Sequence, residues 1–248
     1  MQWLPRAITL DLDDTLWPIA PVIERAEAAL HDWMLVHAPN AAARYPIATM
    51  RALRDAVALA NPHLAHDYTA QRKLSLTQVF TECGHDPDVA KTDLVEAAFT
   101  TFHAARNRVE LYPDVVAALD SLAAHAPLAA LTNGNADLAQ IGLHGHFAFS
   151  LGAREHGSGK PDASIFHAAC ERLGVAPHEV LHVGDDSELD IVGAARAGLR
   201  TCWINRHDHA WQHDAPRPDL AFVHLGELAD WLDSCFDESV PHSTWNAA

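Results

Sequence analysis

Short apolar runs alternate with longer stretches in which apolar residues recur every three or four positions, and this alternation organises most of the chain. The runs at 7–11 (Ala-Ile-Thr-Leu-Asp), 128–132, 180–183, 201–204 and 221–223 have the length and apolar density of buried strands. Between them, Val115, Val116, Leu119 and Leu122 mark the apolar face of one helix. Ile165, Phe166, Ala169, Cys170 and Leu173 mark a second, and Leu225, Leu228, Trp231 and Leu232 a third. Strand and helix in turn predict an α/β fold, a doubly wound parallel sheet of Rossmann-like type.

Residues 17–108 break the rhythm. They carry helical patterns such as Val22, Ala26, Leu30, Trp33 and Met34, and no run that reads as a strand. An all-helical cap domain (17–108) is therefore expected as an insertion in an α/β core domain made of residues 1–16 and 109–248. Charge divides the chain at the same place. The insert holds 9 basic and 10 acidic side chains, leaving 8 basic and 23 acidic for the remainder, within a net charge of −16. Such an excess of acid opposes unaided attraction to nucleic acid or an anionic membrane surface, so an anionic partner needs a local positive site.

Polar residues interrupt every apolar stretch before the roughly 18 residues that span a bilayer. The first residues lack the basic region and apolar block of a secretory signal. Cys83, Cys170, Cys202 and Cys235 form no C-x-x-C pair. A soluble, cytoplasmic protein with reduced thiols is expected, long enough to bury a sizeable core. Residues 239–248 show no periodic pattern and are expected to fray. Among 18 histidines, His207, His209 and His213 lie near Asp208 and Asp214, but their spacing matches no compact zinc motif and reads as a surface loop.

Acids and hydroxyls gather where the expected strands end. Leu10-Asp11-Leu12-Asp13-Asp14-Thr15-Leu16 puts three carboxylates at the carboxyl end of the first strand, where open α/β sheets bind ligands. Residues two apart on an extended chain face the same side, so Asp11 and Asp13 converge, and a bound cation is the simplest relief of their repulsion. Capping the next helix or solvating a turn is the purely structural alternative.

Three further segments complement this one. Leu131-Thr132-Asn133-Gly134-Asn135 closes the 128–132 strand with a hydroxyl and turn amides suited to phosphoryl oxygens. Gly157-Ser158-Gly159-Lys160-Pro161-Asp162 places one of three lysines before a proline at the start of a helix. His182-Val183-Gly184-Asp185-Asp186-Ser187-Glu188-Leu189-Asp190 ends another strand in a group of acids, of which Asp186 can equally cap the helix that follows.

In this order, Asp11-Leu12-Asp13-Asp14-Thr15, Thr132, Lys160-Pro161 and Gly184-Asp185 through Asp190 resemble the four motifs of the haloacid dehalogenase-like hydrolases. The resemblance runs almost end to end, and the helical insert resembles that family's type-1 cap. Within the family, the segments around Thr132 and Asp185 are most similar to bacterial phosphatases of flavin mononucleotide and a phosphorylated riboflavin precursor.

The resemblance implies a magnesium-dependent phosphatase of a small phosphorylated metabolite, working through an aspartyl-phosphate. Asp11 would be the nucleophile and Asp13 the proton shuttle. Thr132 and Lys160 would neutralise phosphoryl oxygens, with amides of Asn133 and Gly134 as further donors. Mg2+ would be held by the Asp11 side chain, the Asp13 backbone carbonyl and the Asp185 side chain. Asp186 and Asp190 stay open between holding a metal-bound water and, for Asp190, orienting Lys160.

Asp13 speaks against true dehalogenation, because a departing halide needs no proton. A phosphonate hydrolase would need a cap lysine, for which the insert offers Lys73 and Lys91 without a lysine-centred motif. A nucleotide or sugar phosphatase, a phosphomutase and a catalytically idle scaffold are the remaining alternatives. For substrate choice the sequence offers Trp17, directly after the first motif, and Tyr68, Arg72 and Lys73 on an expected 67–82 helix, with Arg72 foremost. Trp33, Phe80 and Phe99 are expected to pack the bundle.

Overall fold

The computed structural model describes residues 3–85 and 93–236. Lys91 and the segment expected to fray lie outside the described residues. Six parallel strands form one sheet: β1 (Ala7–Leu10), β2 (Leu128–Thr132), β3 (Phe149–Gly152), β4 (Val180–Gly184), β5 (Arg200–Ile204) and β6 (Leu220–Phe222), in the order β3-β2-β1-β4-β5-β6. Strands β1, β2 and β4 are buried at every position, which is why they read as unbroken apolar runs. Strand β3, absent from the sequence reading, has only Leu151 buried and carries a serine and a glycine, so no run marks it.

The chain divides into two compact units, one of which comprises residues 19–109 together with 135–141. That second unit is helical: α1 (Ile19–His37), α2 (Pro39–Arg44), α3 (Ile47–Ala60), α4 (Tyr68–Glu82) and α5 (Val95–Arg106), with a short α7 (Leu138–Ile141) from the later segment. Its core joins Ala26, Leu30 and Met34 of α1 to Leu76, Val79 and Phe80 of α4 and to Ala98 and Phe102 of α5. Trp33 and Phe99 pack against this core, half-buried.

The expected boundaries place 135–141 in the α/β core, and hydrogen bonding explains the difference. Asn135 Nδ2 donates to Thr69 Oγ1 at 3.2 Å, the Asn135 carbonyl meets His103 Nε2 at 2.9 Å, and the Asp137 amide donates to Asn107 Oδ1 at 2.9 Å.

In the α/β unit, α6 (Val115–His125), α9 (Ala163–Leu173) and α11 (Leu225–Phe236) follow the three periodic stretches read from the sequence. Between β3 and α9 lies the short α8 (Ala153–His156). After β4 the chain makes a wide turn over Ser187–Val192, closed by the Ile191 amide on the Asp186 carbonyl at 3.3 Å, before α10 (Gly193–Arg196). No helix among the described residues is long and apolar enough to cross a membrane, and the four cysteines are free thiols.

Candidate active site

Strand register alone brings three of the motifs together. Leu10 of β1 aligns with Ala130 of β2 on one side and with Val183 of β4 on the other. One or two residues further on, each strand delivers its polar group, Asp11, Thr132 or Asp185, to the same end of the sheet. The strand order reverses at β1, the place where open sheets of this kind form a binding crevice.

Lys160 arrives from the loop before α9 and is almost fully buried. Its Nζ donates to Asp11 Oδ1 at 2.5 Å and to Asp190 Oδ1 at 2.6 Å. Asn133 fixes the lysine's backbone with a reciprocal pair of bonds: its Nδ2 donates to the Lys160 carbonyl and its Oδ1 accepts from the Lys160 amide, both at 2.8 Å. Gly159 allows this approach, since a Cβ there would stand 2.5 Å from Asn133 Oδ1. The expected phosphoryl-binding turn thus contributes a side-chain clamp that spacing did not reveal.

The wide turn after β4 lowers Asp190 onto the strand end. Asp190 is 1 % exposed, collects donors from Lys160 and from the Asp186 amide at 3.0 Å, and stands 3.1 Å from His182 Nε2. Gly184 makes this possible, because a Cβ there would lie 2.3 Å from the Asp190 carboxyl carbon. Asp190 is thus in direct contact with the Lys160 ammonium. Asp186 caps the turn, its Oδ1 accepting from the Glu188 and Leu189 amides at 2.9 and 2.8 Å.

Electrostatics follow from this crowding. Burial, reinforced by Asp190 and Asp13 and opposed by Lys160, pushes the Asp11 carboxyl up to about 7. Burial, with Asp11 and Asp190 nearby, pushes Asp185 up to about 8. Asp190 goes the other way: Lys160 and His182 outweigh its burial and hold it at about 2. Lys160 is held above the usual lysine range by Asp11 and Asp190 despite its burial.

Carboxylate oxygens of Asp11, Asp185 and Asp190 lie within 4.8 Å of one another, the only such cluster of possible metal ligands among the described residues. The Thr15 hydroxyl lies between Asp11 Oδ2 (3.2 Å) and Asp185 Oδ1 (3.0 Å). Three carboxylates facing one ammonium, with all-oxygen donors, fit a hard divalent cation such as Mg2+.

Thr132 is buried and its Oγ1 accepts from the Gly134 amide at 2.9 Å. Gly134's amide is therefore committed to Thr132 rather than aimed at a ligand, and the Thr132 hydroxyl keeps its own proton to donate.

Trp17 corrects the sequence reading. It is fully buried, and its Nε1 donates to Asp13 Oδ1 at 2.8 Å, so its ring offers no face to a substrate. The reason is a tight turn with Asp14 at φ 62°, closed by the Asp14 amide on the Trp17 carbonyl at 2.8 Å, which folds residue 17 back beside residue 13. The indole thereby orients the expected proton shuttle.

Two residues that sequence reasoning missed support the site from β5 and its following loop. Trp203, paired with Gly184 across the strands, donates from Nε1 to the Asp185 carbonyl at 2.7 Å. Arg206 clasps Asp114 at 2.9 and 3.0 Å, donates to the Thr15 carbonyl at 3.2 Å and lies 3.8 Å over Tyr112. Neither stands in a motif, so only the fold reveals them.

In the helical unit, Arg72 lies 3.5 Å over the Phe102 ring and lines a small pocket with Glu27, Leu30, His31, Met34 and Arg54. Burial and the neighbouring Arg54 lower the guanidinium to about 10. Lys73 is tied to Glu96 at 2.7 Å, and Tyr68 is exposed. His207, His209 and His213 do not converge on one point with the acids near them: His213 pairs with Glu188 and Ser187, while His207 and His209 lie against each other.

A family model for haloacid dehalogenase-like hydrolases matches residues 5–198. The chain is 37% identical over 198 residues to 5-amino-6-(5-phospho-D-ribitylamino)uracil phosphatase YigB of Escherichia coli, covering 80% of this chain and 82% of that one. It is 36% identical to the phosphoserine phosphatase of Thermus thermophilus over 63% of each chain. Among solved structures, one described as 2-haloacid dehalogenase from Pseudomonas syringae pv. Tomato superposes with a TM-score of 0.87 at 37% identity, covering 93% of this chain and 99% of that one.

Proposed function

The chain belongs to the haloacid dehalogenase-like hydrolases, and from that premise we propose that it is a magnesium-dependent phosphatase of a small phosphomonoester, with the phosphorylated ribitylamino-pyrimidine precursor of riboflavin as leading substrate and flavin mononucleotide as the next. The observation that carries this reading is the Asp11–Lys160–Asp190 cluster beside Asp185 at the β1/β4 strand ends.

Asp11 Oδ would attack phosphorus as the P–O bond to the alcohol breaks, giving a phosphoaspartate that water then opens to inorganic phosphate. Asp13, held by the Trp17 indole, would give its proton to the departing alkoxide and then take one from the attacking water. Thr132 would donate its hydroxyl proton to a phosphoryl oxygen, and Lys160 would keep Asp11 oriented and offset the phosphoryl charge. Mg2+, held by Asp11, Asp185 and the Asp13 carbonyl, would supply the positive charge that lets a phosphate dianion approach these carboxylates. Arg72 is proposed to influence which ester is accepted, and the cytoplasm is the proposed compartment.

The similarity to a structure described as a haloacid dehalogenase raises a second reading, halide displacement. Asp13 and the crowded Asp185 favour the first, because expelling halide requires neither a proton donor nor a cation. Phosphate release should be measured from the riboflavin precursor, flavin mononucleotide, phosphoserine and nucleoside monophosphates, with Mg2+ and with chelator. Halide release from 2-chloropropionate is the parallel assay. Phosphate release that requires Mg2+ is expected; halide release without any phosphate release would overturn the assignment.

A further inference from the structure

Beneath the reacting groups lies a second row of buried polar side chains that the phosphatase reading does not use. Thr9 and His182 are a cross-strand pair of β1 and β4, both with no exposed surface. Thr9 Oγ1 stands 2.8 Å from His182 Nδ1, and His182 Nε2 stands 3.1 Å from Asp190 Oδ1, the oxygen that also receives Lys160. The Phe166 ring meets the imidazole edge-on at 5.0 Å, closing it from solvent. The neutral imidazole carries one N–H, on one of two nitrogens that each face a single partner.

Where that single proton sits decides what Asp190 feels. A carboxylate can only accept, so a proton on Nε2 makes a hydrogen bond to Asp190, whereas a bare Nε2 sets a lone pair against the oxygen at the same distance. The Thr9 hydroxyl can donate to Nδ1 only when Nδ1 is bare, so each donation from Thr9 favours the proton on Nε2. We propose that Thr9 and His182 are positioning residues of the active site: Thr9 holds His182 in the Nε2–H form, His182 then donates to Asp190, and Asp190 so held aims the Lys160 ammonium at Asp11. The catalytic part of this inference rests on the phosphatase reading above; the placement of the proton does not.

The two parts are tested separately on the full chain. In histidine-15N-labelled protein, with His182→Gln used to assign the signal, the His182 resonances should show the proton on Nε2 and a bare Nδ1, and Thr9→Val should yield a mixture of the two forms. With 4-nitrophenyl phosphate and Mg2+, Thr9→Val should lower kcat about tenfold with KM changed less than about twofold, and Thr9→Ser should restore kcat to within about threefold. His182→Gln removes the imidazole whose tautomer Thr9 would set, so Thr9→Val added to it should cost little further activity.

A proton found on Nδ1 in the wild-type protein would overturn the inference. So would an unchanged kcat in Thr9→Val, or a full tenfold loss persisting in the His182→Gln background. If the wild-type protein released no phosphate at all, the resonances would still report the tautomer, so failure of the phosphatase reading and failure of this one are distinguishable.

Discussion

The two compact units treat charge in opposite ways. At the strand ends of the α/β unit the ammonium of Lys160 is bonded to two carboxylates, the Asp190 oxygens have three nitrogens within hydrogen-bond distance, and glycines at 159 and 184 leave space for contacts that any Cβ would block. In the helical unit Arg72 rests on an aromatic ring in a pocket it shares with Glu27 and Arg54, Glu27 is bonded by Arg51 and Arg54, and His31 Nδ1 is buried with no hydrogen bond among the described residues. Strand register fixes short side chains to within hydrogen-bond tolerance, whereas a helix surface presents long side chains whose ends can settle in several places. The first arrangement suits a fixed reaction and the second a variable choice of ligand.

Asp11 is the position at which a substitution should have the largest effect. Asp11→Asn should reduce phosphate release by about a thousandfold or more while circular dichroism and the folded state persist, because Lys160 keeps Asp190 as a partner. Gly184→Ala should come next. Its methyl would displace Asp190 and Lys160 with it, lowering kcat about a hundredfold and stability by about 2 kcal/mol in denaturant titration. Unchanged activity in Gly184→Ala would mean that Asp190 does not need its place.

Magnesium and pH sharpen the contrast further. Asp11 and Asp185 have folded values raised to about 7 and 8, above their ordinary 3.8. The sign follows directly: between about pH 4 and 8 the folded state binds more protons at these two groups than the unfolded state, so their contribution to stability declines as pH rises through that window. A cation replaces those protons. Mg2+ should therefore raise the melting temperature by several degrees at pH 8 and have little effect at pH 5.5, read by differential scanning calorimetry.

The smallest effect belongs to the helical unit. Arg72→Gln removes the contact with Phe102 and should cost less than about 1 kcal/mol of stability. It should raise KM for the riboflavin precursor several-fold while changing kcat less. An effect on kcat comparable to that of Gly184→Ala would erase the distinction between the two units.

These differences also mark what the chain's letters could and could not convey. The strands that hold Asp11, Thr132 and Asp185 were readable because parallel strands buried on both faces are apolar without interruption, and the acids that end them stand out. Strand β3 is only one-quarter buried and left no such trace. Trp203, Arg206 and the side-chain clamp of Asn133 are not legible because they depend on neighbours 18, 92 and 27 positions away, a relation set by sheet order rather than by local pattern. Trp17 misled because proximity to a motif says nothing about which way a turn folds, and Asp14 in the left-handed region turned the indole inward. The grouping of 135–141 with the helical unit is hidden for the same reason: its partners Thr69, His103 and Asn107 are distant in sequence.

The proposed reaction requires that Asp11 itself becomes phosphorylated. Acid-quenching the protein within one turnover of the riboflavin precursor, in Mg2+, and digesting it should yield the peptide containing Asp11 heavier by one phosphoryl group, with hydroxylamine removing the addition. Phosphate release accompanied by an unmodified Asp11 peptide, or by a phosphoryl group on another residue, would contradict it.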